Sequence, residues 1–169
     1  MARMSAAHLA PQGGGFEPQR KYDFEINLFG VPGAELIKLA CVSAGVPDGT
    51  NEVINLPYLN EVIKVAGQAK WASVPLVVRD FVDQPVYSAL MAWRKLVQDP
   101  ATGNTGLAST YKKQGELSFI GPDGAAEKKF KMIGIWPSSV KDEGVSYAEG
   151  TAVHTITMTL ECDKAMPLF

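Results

Sequence analysis

The sequence predicts a mainly β domain with one α-helix, and three observations carry that prediction. Apolar and polar residues alternate in "KYDFEINLF", "GELSFI" and "TAVHTITMTLEC", the period of a strand with one buried face. One segment, "DQPVYSALMAWRKLVQDP", switches to helical spacing. The 169 residues, 46% apolar and 20% charged, suit one globular domain with a core of its own.

Residues 1–20 read as a flexible arm, because Pro11, Gly13, Gly14, Gly15 and Pro18 oppose regular structure. Residues 21–169 read as a single β domain. Tyr22, Phe24, Ile26 and Leu28 alternate with Lys21, Asp23, Glu25 and Asn27, which predicts a first strand. "GVPGA" then turns the chain, and "ELIKLACVS" is expected to return as a second strand. "AGVPDGTNEVINLPYLN" carries Pro47, Asp48-Gly49 and Pro57 and reads as a long loop. "EVIKVAGQAKWASVPLVVRD" reads as extended chain with a kink or bulge at Gly67. Pro75 argues against a central ladder position there.

The helix is predicted from Val86, Leu90, Trp93 and Val97, with Ala89 and Leu96 widening the stripe. Asp83 is the expected cap, Pro85 lies in the first turn and Pro100 ends the segment. "YKKQGELSFI" and "EKKFKMIGIW" then flank Asp123-Gly124, a hairpin signal. Strict alternation would put Phe130, Met132 and Trp136 on one face and Ile133 and Ile135 on the other. Trp136 is expected to anchor the end of the core, and Pro137 to end the ladder. In the last strand Ile156, Met158 and Leu160 point inward, and Thr155, Thr157 and Thr159 form a Thr ladder on the other face.

Few chemistries fit this chain. The formal charge of −2 gives no global attraction to nucleic acid or an acidic membrane. The N-terminus lacks the apolar run of a signal peptide, and no stretch approaches the roughly 18 apolar residues of a spanning helix. Cys41 and Cys162 have no metal-ligand spacing and read as reduced thiols. Of the two histidines, His8 lies in the arm. His154 is read as a satisfied core or interface residue, with a general base as the alternative. Lys112, Lys113, Lys128, Lys129 and Lys131 read as a solvated sheet face or a protein contact. No catalytic, cofactor-binding or metal motif is present, so no enzyme, cofactor or metal is expected.

The order strand, Gly-containing turn, strand with Trp-Pro, acidic loop and Thr-rich strand resembles the C-terminal half of contractile-phage tail tube proteins. Here it reads "GELSFIGPDGAAEKKFKMIGIWPSSVKDEGVSYAEGTAVHTITMTLEC". The first strand, the loop at 44–60 and the single helix follow the same order, so the resemblance spans about residues 20–163. It implies a β-sandwich or small β-barrel with one flanking helix. It further implies hexameric rings, each with a continuous β-lined channel between subunits, stacked into the tail tube. The type VI secretion tube protein shares that fold. By this resemblance the loop makes ring contacts, which nominates Gly45, Pro47, Asp48, Gly49, Pro57 and Tyr58 as interface residues. The implied partners are copies of the chain, the sheath, the tape-measure, baseplate and tail-terminator proteins, and DNA in passage. The implied location is the virion tail, assembled in the host cytoplasm. The alternatives are the tube of a type VI-like or other contractile injection device, and a small β-barrel binding module or hydrolase using His154.

Overall fold

A computed structural model describes residues 19–83, 85–146, 150 and 152–168; the arm through residue 18 lies outside them. The elements are β1 (Phe24–Phe29), α1 (Ala34–Ala40), β2 (Cys41–Ala44), β3 (Gly49–Tyr58), β4 (Glu61–Trp71), β5 (Val74–Arg79), α2 (Pro85–Val97), α3 (Ala108–Tyr111), β6 (Lys113–Ile120), β7 (Ala126–Asp142), β8 (Thr155–Glu161) and β9 (Lys164–Leu168). The mainly β reading holds. Three helices, rather than one, accompany the strands among the described residues.

Seven strands form one antiparallel sheet in the order β1-β6-β7-β8-β5-β2, with β9 also on β7. Its end strands, β1 and β2, do not pair with each other, so the sheet curls without closing into a barrel. β7 makes the curl possible. Up to Ile135 it pairs with β6, and over Lys129–Ile133 also with β9; from Trp136 it pairs with β8. Pro137 therefore does not end the ladder. It sits at the changeover, opposite Leu160, where the register slips before Ser139. A residue without an N–H fits a place where the ladder is already irregular.

The alternation expected for β7 is also corrected. Met132 and Ile135 are both fully buried, although they are three residues apart. Gly134 lies between them at φ 69, and the β6 register slips opposite it. This bulge adds one residue and exchanges the faces beyond it. Ile135 and Pro137 turn inward, while Trp136 is half-buried and meets Tyr111 edge-on at 5.8 Å between ring centroids. The indole that fills the core is Trp93, at 0% exposure, with Nε1 donating to the Tyr111 carbonyl at 3.0 Å.

α2 follows its periodicity: Val86, Leu90, Trp93 and Val97 are buried and pack over β7. Pro85 is its first residue, where a missing N–H costs no helical bond. Asp83 is not the cap, since it stands two positions ahead of the helix with φ 66. "ELIKLA" forms α1, not a strand, and buries Ile37 and Ala40 against β1, β5 and α2. Only Cys41–Ala44 continues as strand β2. β5 is an interior strand despite Pro75. β2 reaches only to Leu76 of β5, so the proline nitrogen lies past the end of that ladder. The Asp123-Gly124 hairpin and the β8 alternation are as expected, with Ile156, Met158 and Leu160 fully buried.

Candidate functional site: an exposed hairpin

The segment read as a long loop is mostly strand β3, one arm of a β-hairpin whose other arm is the extended segment β4. β3 and β4 pair with each other from Gly49↔Trp71 to Tyr58↔Glu61 and with no other strand. The register slips between Asn51 and Val53, and the extra β4 residues include Gly67, so the bulge expected at that glycine is present. Pro57 is tolerated because each hairpin strand has one free edge. The chain reverses at Leu59-Asn60, with Leu59 at φ 53.

Every residue of β3 is exposed, and β4 is exposed except at Gly67 and Trp71. The ten residues of β3 span about 33 Å at roughly 3.3 Å per residue. Directly opposed pairs share a face, so Ile54 with Val65, Leu56 with Ile63, and Tyr58 with Glu61 form one side. That side is apolar up to its acidic end. The other side alternates, with Val53 and Ala66, then Asn55 and Lys64, then Pro57 and Val62. Tyr58 is 64% exposed and Leu59 92%. An exposed apolar patch of this extent, held on a regular scaffold, marks an interaction surface. Glu52 and Lys70 pair across the base of the hairpin.

The nominated interface residues fall at the two ends of this hairpin. Gly45 donates its N–H to the Pro75 carbonyl at 2.7 Å, and a Cβ there would lie 2.5 Å from Pro75 Cδ. Pro47 is buried, and the Asp48 carbonyl accepts the Ala72 N–H at 2.8 Å. Gly49 lies against the Trp71 ring. These four residues root the hairpin, whereas Pro57 and Tyr58 stand near its open tip. The side chains between them, Ile54, Leu56, Ile63 and Val65, were not nominated. Their signal was the run of apolar residues on both sides of "LPYLNE".

His154 sits where three strand ends meet. His154 Nε2 lies 3.1 Å from Asp142 Oδ1 and 3.0 Å from the Glu143 carbonyl, and Nδ1 lies 3.8 Å from Asp80 Oδ2. Its own carbonyl accepts the Asp80 N–H at 3.1 Å. Both ring nitrogens thus face oxygens, and the residue ties the ends of β5 and β7 to the start of β8. Three of the five lysines at the β6–β7 hairpin are also engaged. Lys112 pairs with Asp163 at 2.7 Å, Lys129 with Glu116 at 3.3 Å, and Lys128 lies over the Phe130 ring. Among the described residues no group of His, Cys, Asp and Glu could hold a metal ion, and no helix is long and apolar enough to cross a membrane.

No family model matches this sequence, and no curated protein matches it. The fold does match solved structures. It is similar to a chain in "Cryo-EM Structure of an Extracellular Contractile Injection System, PVC sheath-tube complex in extended state", at TM-score 0.71 and 15% identity, covering 98% of this chain and 99% of that one. It is similar to a chain of the anti-feeding prophage tube-terminating cap, at TM-score 0.70 and 18% identity, covering 90% and 91%. It is also similar to the SPP1 tail tube, at TM-score 0.57 and 10% identity, covering 89% and 78%. The chain has the fold shared by tube and tube-cap proteins of contractile injection systems and by a phage tail tube.

Proposed function

We propose that this protein is a non-enzymatic structural subunit of the inner tube of a contractile tail-like particle. In this reading six copies form a ring, rings stack, and the tube lies within a sheath between baseplate and terminator, around a tape-measure protein. The observation that carries the proposal is the β3–β4 hairpin, whose large apolar side chains no other part of the described chain covers. The similarity of fold supports it. The sequence pattern leads to a phage tail, with the tube as the conduit for genome ejection and the virion as its location. A second reading is favoured by the near-complete overlap with the injection-system tube complex: the same tube in a device that delivers protein. Hairpin side chains near Pro57 and Tyr58 make contacts between copies in either case.

Electron microscopy of the purified protein tests the proposal. The expected images show rings or tubes with a central channel. A protein that stays monomeric at high concentration, with sheath and baseplate proteins present, would falsify it. Particles isolated from the source decide between the two readings by whether they carry DNA.

A further inference from the structure

The open side of the sheet supplies a second uncovered apolar surface. β1 pairs only with β6 and β2 only with β5, so each leaves one strand edge unpaired. Between these ends lies a groove of about 920 Å³. Its apolar walls include Tyr22, Phe24, Ile26, Leu39 and Val42. Leu39 is 79% exposed and Tyr22 73%, which is unusual for side chains that border a core. Lys21 and Arg79 also line the groove. Its other charges, Glu25 and Lys38, pair with each other. The hydrogen bond from Lys38 holds the Glu25 carboxyl below its ordinary value, and the same contact raises Lys38. Among the described residues Lys21 and Arg79 have no ion-pair partner.

The hairpin is the matching shape. Its apolar side carries Ile54, Leu56, Ile63 and Val65, and it ends at the exposed Glu61. That carboxylate complements the cationic rim of the groove. The hairpin does not fill the groove of its own chain, since no residue of β3 or β4 lines it. We propose that the apolar side of one copy's β3–β4 hairpin seats in the β1/β2 groove of a second copy. This proposal rests on the tube reading and names the contact through which copies join. Donor and acceptor are different surfaces of the same chain, so the contact is heterologous and repeats head to tail. Such contacts give a closed ring where the rotation closes and a filament where it does not.

A mixing experiment tests the pairing. One variant blocks the donor (Leu56→Asp with Ile63→Asp), and another blocks the acceptor (Leu39→Asp with Val42→Asp). All four side chains are exposed in the single chain, so both variants should keep the far-ultraviolet dichroism and melting transition of the monomer. By analytical ultracentrifugation the wild type should assemble and each variant alone should lose every species above monomer. An equimolar mixture should give a one-to-one dimer and nothing larger, because it holds one intact hairpin and one intact groove. Assembly of the acceptor-blocked variant like the wild type would overturn the groove assignment and leave the tube reading standing. A mixture that stays monomeric would do the same. A monomeric wild type would remove both. An independent readout uses a photo-crosslinking side chain at position 56 of the otherwise native chain. Crosslinks should map to residues 21–46 or Arg79 of another copy, and crosslinks confined elsewhere count against the pairing whatever the double variants do.

Discussion

The core around Trp93 and the hairpin β3–β4 are made of similar side chains with opposite fates. Leu90, Trp93, Ile135 and Met158 are fully buried; Ile54, Leu56, Ile63 and Val65 remain 41–50% exposed. Both regions have regular, hydrogen-bonded backbones, so order alone does not separate them. The core is crossed by three layers of contact, from α1, α2 and the curled sheet. The hairpin has only its own two strands, and an isolated two-stranded ribbon is marginal in water. Burial thus accounts for the stability of one region within a single chain. In the proposed tube a second copy would cover the other.

Changes on the two sides of this divide should therefore separate folding from assembly. The largest loss is expected for Trp93→Ala, about 3–5 kcal/mol in urea denaturation of the monomer, because it opens a cavity at a fully buried site. A loss under about 1 kcal/mol would dissolve the distinction. A thiol probe sharpens it. Burial pushes the Cys41 thiol up to about 11 from an ordinary 9.0. A folded-state value above the unfolded one favours the protonated form, so the contribution is intact below pH 9 and fades as pH rises toward 11. At pH 8 the native thiol should alkylate about 100-fold more slowly than a cysteine placed on the hairpin by Leu56→Cys, since two pKa units change the thiolate fraction by that factor. Equal rates would mean that Cys41 is open to solvent.

Gly134→Ala is expected to cost about 1–3 kcal/mol, since the position holds a left-handed backbone and a Cβ there would lie 2.2 Å from Asp163 Oδ2. A neutral result in a thermal melt would show that the bulge can relax. Trp136→Ala should cost less than Trp93→Ala, because part of its ring is exposed; its edge-on contact with Tyr111 contributes about 0.5–1.5 kcal/mol beyond the area it buries. Leu56→Ser is the smallest for folding, within about 0.5 kcal/mol for an exposed position. Its effect should instead appear as weakened assembly in sedimentation. A large drop in monomer stability with unchanged assembly would invert the comparison.

The sequence revealed elements in which one physical signal dominated. α2 had both period and proline boundaries, and β8 had seven residues of strict alternation. The hairpin was illegible for three reasons. It is apolar on much of both faces, it carries Pro57 within a strand, and it reverses through Leu59 in place of the usual Asn-Gly or Asp-Gly. "ELIKLA" is too short to distinguish period two from period 3.6, and α1 has no side-chain cap to mark its start. The exchange of faces in β7 had a visible cue, a lone glycine inside a strand pattern, which was read without its bulge. β9, short and containing Pro167, gave no alternation to follow. The groove was beyond reach, because β1 and β2, close in sequence, sit at opposite ends of the sheet order and do not pair.

The changeover at Trp136-Pro137 has a mechanical meaning. β7 runs for 17 residues and belongs first to the β6 and β9 ladders and then to the β8 ladder. The two halves of the sheet are therefore joined by covalent backbone as well as by packing. A force that tries to slide one half past the other stretches a peptide chain before it shears a row of hydrogen bonds. Under load the strand acts as a tie rod between the two halves.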